Sequence, residues 1–165
     1  MEWVLGTLVG GAIGLGSALI VTEYATWRQR AIRKKDVVES LRTEISSNRR
    51  ALEQGAIEAK AAKERGQPRR FVGAAFKREV YNAHIGDLAL LPEAAREQVQ
   101  NFYAWLSDVE FVVYEGFLGG RLRPVVDPAR PPDVLKALDD WYLERTGEAL
   151  TAADKALAEL AKVAR

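Results

Sequence analysis

Residues 3–22 carry no charge between Glu2 and Glu23, and apolar positions beyond them recur at helical spacing to the C-terminus. Twenty residues at about 1.5 Å each make a helix of about 30 Å, the thickness of a bilayer's hydrocarbon core. Trp3 stands at one end and Tyr24 and Trp27 at the other, where amphipathic rings favour the headgroup level, and Arg28, Arg30, Arg33, Lys34 and Lys35 follow at once. The pattern predicts a transmembrane helix over residues 1–27. Because lysine and arginine beside a span stay in the cytoplasm, it also predicts a short N-terminus outside and a cytoplasmic body at the plasma (inner) membrane. A cleaved signal peptide wants positive charge before its apolar stretch and a small-residue site after it. This chain has Met1-Glu2 before and "TEYATWRQR" after. The competing reading of the same run is a buried core helix.

Gly6, Gly10, Gly14 and Ala18 are each four apart, so on a helix they form one nearly straight stripe of missing side chains, with Gly11 and Ser17 beside it. Lipid tails give helices no hydrophobic reason to associate. Van der Waals contact along such a groove does, and the small-xxx-small spacing is its usual sign. The stripe predicts a packing face for another membrane helix, either a second copy or a subunit of a larger membrane complex.

No proline or glycine interrupts residues 22–54, and a helix is expected from about Thr22 to Arg65. Val38, Ile45 and Leu52 are seven apart with Leu41 and Asn48 interleaved, a short heptad seam with one polar member. Ala31 and Lys34 weaken its start, and both a coiled coil between chains and a bundle within one would use it. A seam asparagine can fix register by pairing with a polar group, or simply satisfy a backbone group. "KERGQPRRF", 63–71, reads as an exposed basic turn, followed by a short amphipathic helix over about 72–84. Ala95, Val99, Phe102, Leu106, Val109, Val113 and Gly116 alternate spacings of four and three, predicting a core helix over about 92–118 that Gly119-Gly120 ends. "RLRPVVDPARPP" reads as an extended connector, and a last helix is expected over 132–164, continuing past Gly147. No strand-like alternation of useful length is present. The expected architecture is all-α, an N-terminal transmembrane helix continuing into a cytoplasmic up-and-down bundle over 28–165.

Length and composition narrow the chemistry. The 165 residues leave room for one domain beside a span, and the absence of cysteine removes disulfides, thiolate nucleophiles and cysteine-held metals. Net charge is +1, but residues 28–70 hold 13 Lys/Arg against 6 Asp/Glu and residues 71–165 hold 11 against 15, a basic neck before a mildly acidic body. His84 is the only histidine and reads as a capping or half-buried structural residue beside the "IGD" turn. Asp139 and Asp140 are adjacent, and Glu39 and Glu44 are five apart, so neither pair makes a two-carboxylate site. The glycines of "GGAIGLG" have no Lys-Ser/Thr behind them and are not a nucleotide loop. The sequence is therefore read as non-enzymatic, with no cofactor and no metal.

Binding is the remaining class. The neck cations Arg28, Arg30, Arg33, Lys34 and Lys35 suit lipid headgroups of an anionic leaflet, worth about 1 kcal/mol each near the surface. Arg49, Arg50, Lys60, Lys63, Arg65, Arg69 and Arg70 reach farther out, but no nucleic-acid fold or interleaved aromatic motif accompanies them, and nucleic acid is not an expected partner. Phe102 falls on the inward stripe, which leaves Tyr103 or Trp105 off it, and these two with Asn48 are the candidate partner contacts.

"LRTEISSNRRAL", with its Glu44-x-x-x-Asn48 step, and "YNAHIGDLALLPEAAREQVQNFYAWLSDVE", with its Gly-Asp-Leu/Leu-Pro turn and Phe-Tyr pair, stand behind a membrane-type helix. In these features residues 1–115 resemble a widespread group of small bacterial membrane-anchored helical proteins. The group has no established activity, so the resemblance implies architecture and a membrane location and no mechanism. The expected role is a scaffold, interaction or accessory subunit of a membrane complex. The alternative is a small pore-forming or lysis-type effector assembling through the glycine face, whose span offers only Thr7, Ser17 and Thr22 as polar side chains.

Overall fold

A computed structural model describes the backbone of residues 2–65, 76–126 and 132–164, and the side chains of 22–65, 76–114 and 139–164. The described chain is all-helical: α1 (Glu2–Glu64), α2 (Glu79–Ala83), a 3₁₀ turn (Ile85–Leu90), α3 (Glu93–Val126) and α4 (Pro132–Val163). Among the described residues no helix is long and apolar enough to cross a membrane. The uncharged run and its stripe of Gly6, Gly10, Gly14 and Ala18 belong to the stretch of α1 whose side chains lie outside the described residues.

Ion pairs fix the register. Lys63 meets Asp140 at 2.5 Å and Arg49 meets Asp154 at 2.7 Å, so fourteen residues back along α1 correspond to fourteen forward along α4, and the two helices are antiparallel. Asp108 to Arg145 (4.0 Å) and the Phe111–Trp141 ring contact make α3 antiparallel to α4 as well. Residues 77–87 run back down α1, with Lys77 at Asn48, Val80 at Glu44 and Asp87 at Arg33. The order is thus up, down, up, down, with the second member made of the short α2 and the 3₁₀ turn.

The core explains which members touch. Val38, Leu41, Ile45 and Leu52 of α1 are buried, so the heptad seam is consumed inside the chain's own bundle, while Ala31 stays exposed. The α3 stripe Ala95, Val99, Phe102, Leu106, Val109 and Val113 is buried as its spacing demands. On α4 the buried positions Ala149, Ala152, Ala153 and Ala156 leave little side chain to hold neighbours off, and α4 packs closely on both α1 and α3. Among the described residues no Cα of α1 comes within 8 Å of one of α3. The returning segment fills that side, inserting Phe76, Leu88 and Leu91 into the core.

Three expected boundaries are corrected. Of the helix expected over 72–84, residues 72–75 lie outside the described residues, and within 76–84 only Glu79–Ala83 is α-helical; residues 76–78 are irregular, with the Lys77 backbone satisfied by Asn48 of α1. The core helix does not stop at Gly119-Gly120. Its backbone continues to Val126, carrying Pro124, since glycine and proline disfavour a helix without forbidding its last turns. Arg121–Val126 is accordingly helical, and the rest of the expected connector, 127–131, lies outside the described residues.

Candidate functional site

Glu44 is the most heavily engaged polar side chain described. It is buried where α1 faces the returning segment, and its carboxylate accepts the backbone N–H of Val80 at 2.8 Å and of Tyr81 at 3.1 Å. Tyr103 of α3 donates its hydroxyl to the same carboxylate. Arg78 at the N-cap of α2 makes no side-chain cap bond, so Glu44 caps that helix from another element, its negative charge placed at the positive end of the peptide dipoles. One turn along α1, Asn48 donates through Nδ2 to the Lys77 carbonyl at 2.8 Å and accepts the Lys77 N–H through Oδ1 at 2.9 Å. The four-residue step from Glu44 to Asn48 puts both groups on one face of α1, where they hold residues 77–81 as a ladder partner would.

Tyr103 completes the clamp. Its ring stacks on Tyr81 at 4.0 Å between centroids and stands edge-on to Phe102 at 5.0 Å. Burial, then the Glu44 carboxylate that its hydroxyl donates to, pushes the phenol far above the ordinary tyrosine range, so it remains a donor wherever the fold persists. Beside the clamp an open groove of ≈ 370 Å³ is lined by Glu39, Ser40, Thr43 and Ser47 of α1 and by Lys77 and Glu79. Arg78 reaches instead to α3, bonding Glu110 at 2.7 Å and Ser107 at 2.9 Å.

Nearer the neck, His84 caps the end of α2 and places Nδ1 3.2 Å from Asp87, whose other oxygen pairs with Arg33 at 2.9 Å. The His84 contact first, and Arg33 with it, hold the Asp87 carboxyl below the usual carboxylate range against the opposing effect of desolvation.

A second cluster lies on the outer side of α3 and α4. The Arg145 guanidinium sits 5.3 Å from the Trp105 ring and 5.9 Å from that of Trp141, a cation between two aromatic faces. Phe111 meets Trp141 edge-on at 6.1 Å and is 54 % exposed, and Tyr114 one turn on is 58 % exposed.

Asn48 and Tyr103, expected as partner contacts, are instead buried and spent on Lys77 and Glu44; this corrects the expectation for both. Trp105 is half-buried and engaged by Arg145. Phe111 and Tyr114, which the period alone leaves unmarked, form the exposed aromatic surface; their position one helical step off the buried stripe is the signal that finds them. In the neck, Arg28, Arg30, Arg33 and Lys35 are exposed, Lys34 is partly covered, and Tyr24 and Trp27 stand in solvent with rings 6.1 Å apart. Asp139 is buried, whereas Asp140 faces out to Lys63. Among the described residues no group of three or more His, Asp or Glu side chains is placed to hold a metal ion.

No protein-family model, curated protein or solved structure matches the chain.

Proposed function

We propose that this chain is a non-enzymatic, single-span membrane protein whose cytoplasmic helical bundle serves as a scaffold or accessory subunit of a membrane complex. One observation carries the reading. The backbone helix that begins in the uncharged run at Glu2 continues to Glu64, so the helix supplying Val38, Leu41, Ile45 and Leu52 to the bundle core is the same helix as the apolar one. Between them, residues 22–33 have exposed side chains, including Trp27 at 66 %, and carry the cations that suit a headgroup layer. The resemblance of residues 1–115 to small membrane-anchored helical proteins of bacteria points the same way.

Partner binding divides between two surfaces. The Gly6, Gly10, Gly14 and Ala18 stripe faces another helix in the bilayer, a second copy or a larger complex. The bundle offers Phe111 and Tyr114, large exposed aromatics of the kind that anchor interfaces. Glu44, Asp87, Glu110 and His84 are each engaged by internal donors or ion pairs, an arrangement suited to holding shape.

The test uses the full chain in its native membrane. It should resist alkaline extraction, and a cytoplasm-only reporter fused at Arg165 should be active; release by alkali, or activity only from a periplasmic reporter, refutes the membrane placement. Gly10→Leu with Gly14→Leu should weaken association in a membrane two-hybrid assay. Unchanged association removes the packing face.

A further inference from the structure

We propose that the turn Asn82–Pro92 is a second membrane contact, with Ile85 at its tip resting on an anionic lipid surface, so that the bundle leans on the bilayer beside its own neck. The inference rests on the membrane reading of α1 and adds to it a surface from another part of the chain.

Position comes first. Among the described side chains of α1, Val37 is the first buried one, and residues 22–36 before it are exposed except for the partly covered Lys34. The turn nonetheless reaches back beyond Val37, since Asp87 pairs with Arg33 at 2.9 Å. Arg33 is six residues past Trp27, about 9 Å along the helix axis. Among the described residues the turn is therefore the part of the bundle nearest the interfacial aromatics, about 9 Å beyond Trp27 along the axis, just outside a headgroup layer.

Its surface has unusual chemistry for an exposed turn. Asp87 is the only Asp, Glu, Lys or Arg between Asn82 and Pro92, and both of its oxygens are taken, by Arg33 and by His84. Around that neutralised carboxylate, Ala83, Gly86, Ala89 and Pro92 are exposed, and Ile85 is 60 % exposed. Among the described residues nothing lies within 4 Å of where a Gly86 Cβ would stand, so the backbone there is open. On α1 next to Arg33, Lys34 and Lys35 supply positive charge, and Trp27 six residues before Arg33 supplies an interfacial ring. An apolar tip flanked by cations next to an interfacial anchor is complementary to anionic headgroups over a shallow acyl boundary. Continuity with the neck favours lipid over a protein partner as the occupant.

The absence of cysteine makes the test direct. Single-cysteine variants Ala25→Cys, Ile85→Cys, Ala89→Cys and Thr151→Cys of the full chain are labelled with an environment-sensitive fluorophore. They are reconstituted in phosphatidylcholine vesicles with and without phosphatidylglycerol, together with a headgroup-level nitroxide lipid. Labels at 85 and 89 should be quenched in the anionic vesicles and recover emission in high salt. The label at 25 should be quenched in both vesicle types, and the label at 151 in neither. Quenching at 25 with none at 85 and 89 overturns the lipid contact and leaves the membrane reading intact. No quenching at 25 overturns both. A second copy covering the turn would give label self-quenching that grows with protein density without nitroxide quenching, and would also overturn the proposal.

Discussion

Removing the Glu44 carboxylate should release the returning segment from α1. In Glu44→Ala the N–H groups of Val80 and Tyr81 and the hydroxyl of Tyr103 lose their acceptor together. A buried donor left unsatisfied costs about 1–3 kcal/mol. The groove alongside lets water reach the two backbone donors, which puts them at the lower end of that range, while the Tyr103 hydroxyl is buried and belongs at the upper end. The sum is about 3–5 kcal/mol. Tyr103→Phe removes one donor and leaves Glu44 its two backbone partners, so it should cost about 1–2 kcal/mol, and the double variant should show a coupling of about 1–2 kcal/mol. The assay is urea unfolding of the full chain in mild detergent, followed by the near-ultraviolet dichroism of the stacked Tyr81 and Tyr103, with amide exchange at Val80 and Tyr81 read in parallel. A Glu44→Ala shift below about 1 kcal/mol, or unchanged exchange at those two amides, would refute the clamp as a source of stability.

Other consequences are as specific. The Tyr103 phenol is raised in the folded state, so its contribution is complete below the unfolded tyrosine pKa of about 10 and is lost as pH rises above it. Phenolate absorbance should show one tyrosine that ionises only as the near-ultraviolet signal collapses, and Tyr103→Phe should remove that late step. Asp87 is shifted down, so its contribution is complete above the unfolded value of about 4 and is lost as pH falls through the lower folded value. Asp87→Asn should flatten that acid limb in denaturation midpoints taken across pH. Ala153→Leu forces four heavy atoms' worth of side chain, less one methyl, between α4 and its neighbours and should cost about 1–3 kcal/mol or more, seen as a lower thermal midpoint by circular dichroism. Arg145→Ala removes the cation between Trp105 and Trp141 and should shift tryptophan emission and cost about 1 kcal/mol.

Much of the fold is legible where one period governs a long element. The positions Val38, Leu41, Ile45 and Leu52 of α1 and the stripe Ala95–Val113 of α3 are buried as their spacing demands, because a helix that must cover a hydrophobic face leaves the spacing of that face in the sequence. The returning segment is not legible in the same way. Phe76 and Lys77 precede the first helical hydrogen bond, which Arg78 accepts from Asn82, and what holds Lys77, Val80 and Tyr81 is a pair of side chains some thirty residues upstream. The Glu44–Asn48 step is visible, whereas the backbone that it serves is not. Tyr103 follows for the same reason: one step off the stripe reads as surface, yet the gap between α1 and α3 admits a ring there. The ends of α3 fail differently, since Gly119, Gly120 and Pro124 lower helical preference by amounts that a long, well-packed helix absorbs.

The continuity of α1 makes it a lever. From Thr22 to Glu64 it has no proline and a single glycine, Gly55, and from Arg28 to Lys63 it extends about 52 Å. A tilt of 10° at Arg28 would carry Lys63, and Asp140 paired with it, sideways by roughly 9 Å, following from that length. Phe111, Tyr114 and Trp141 belong to the same end of the bundle, so a tilt of about 10° at the neck becomes a displacement comparable to a helix diameter at the aromatic surface.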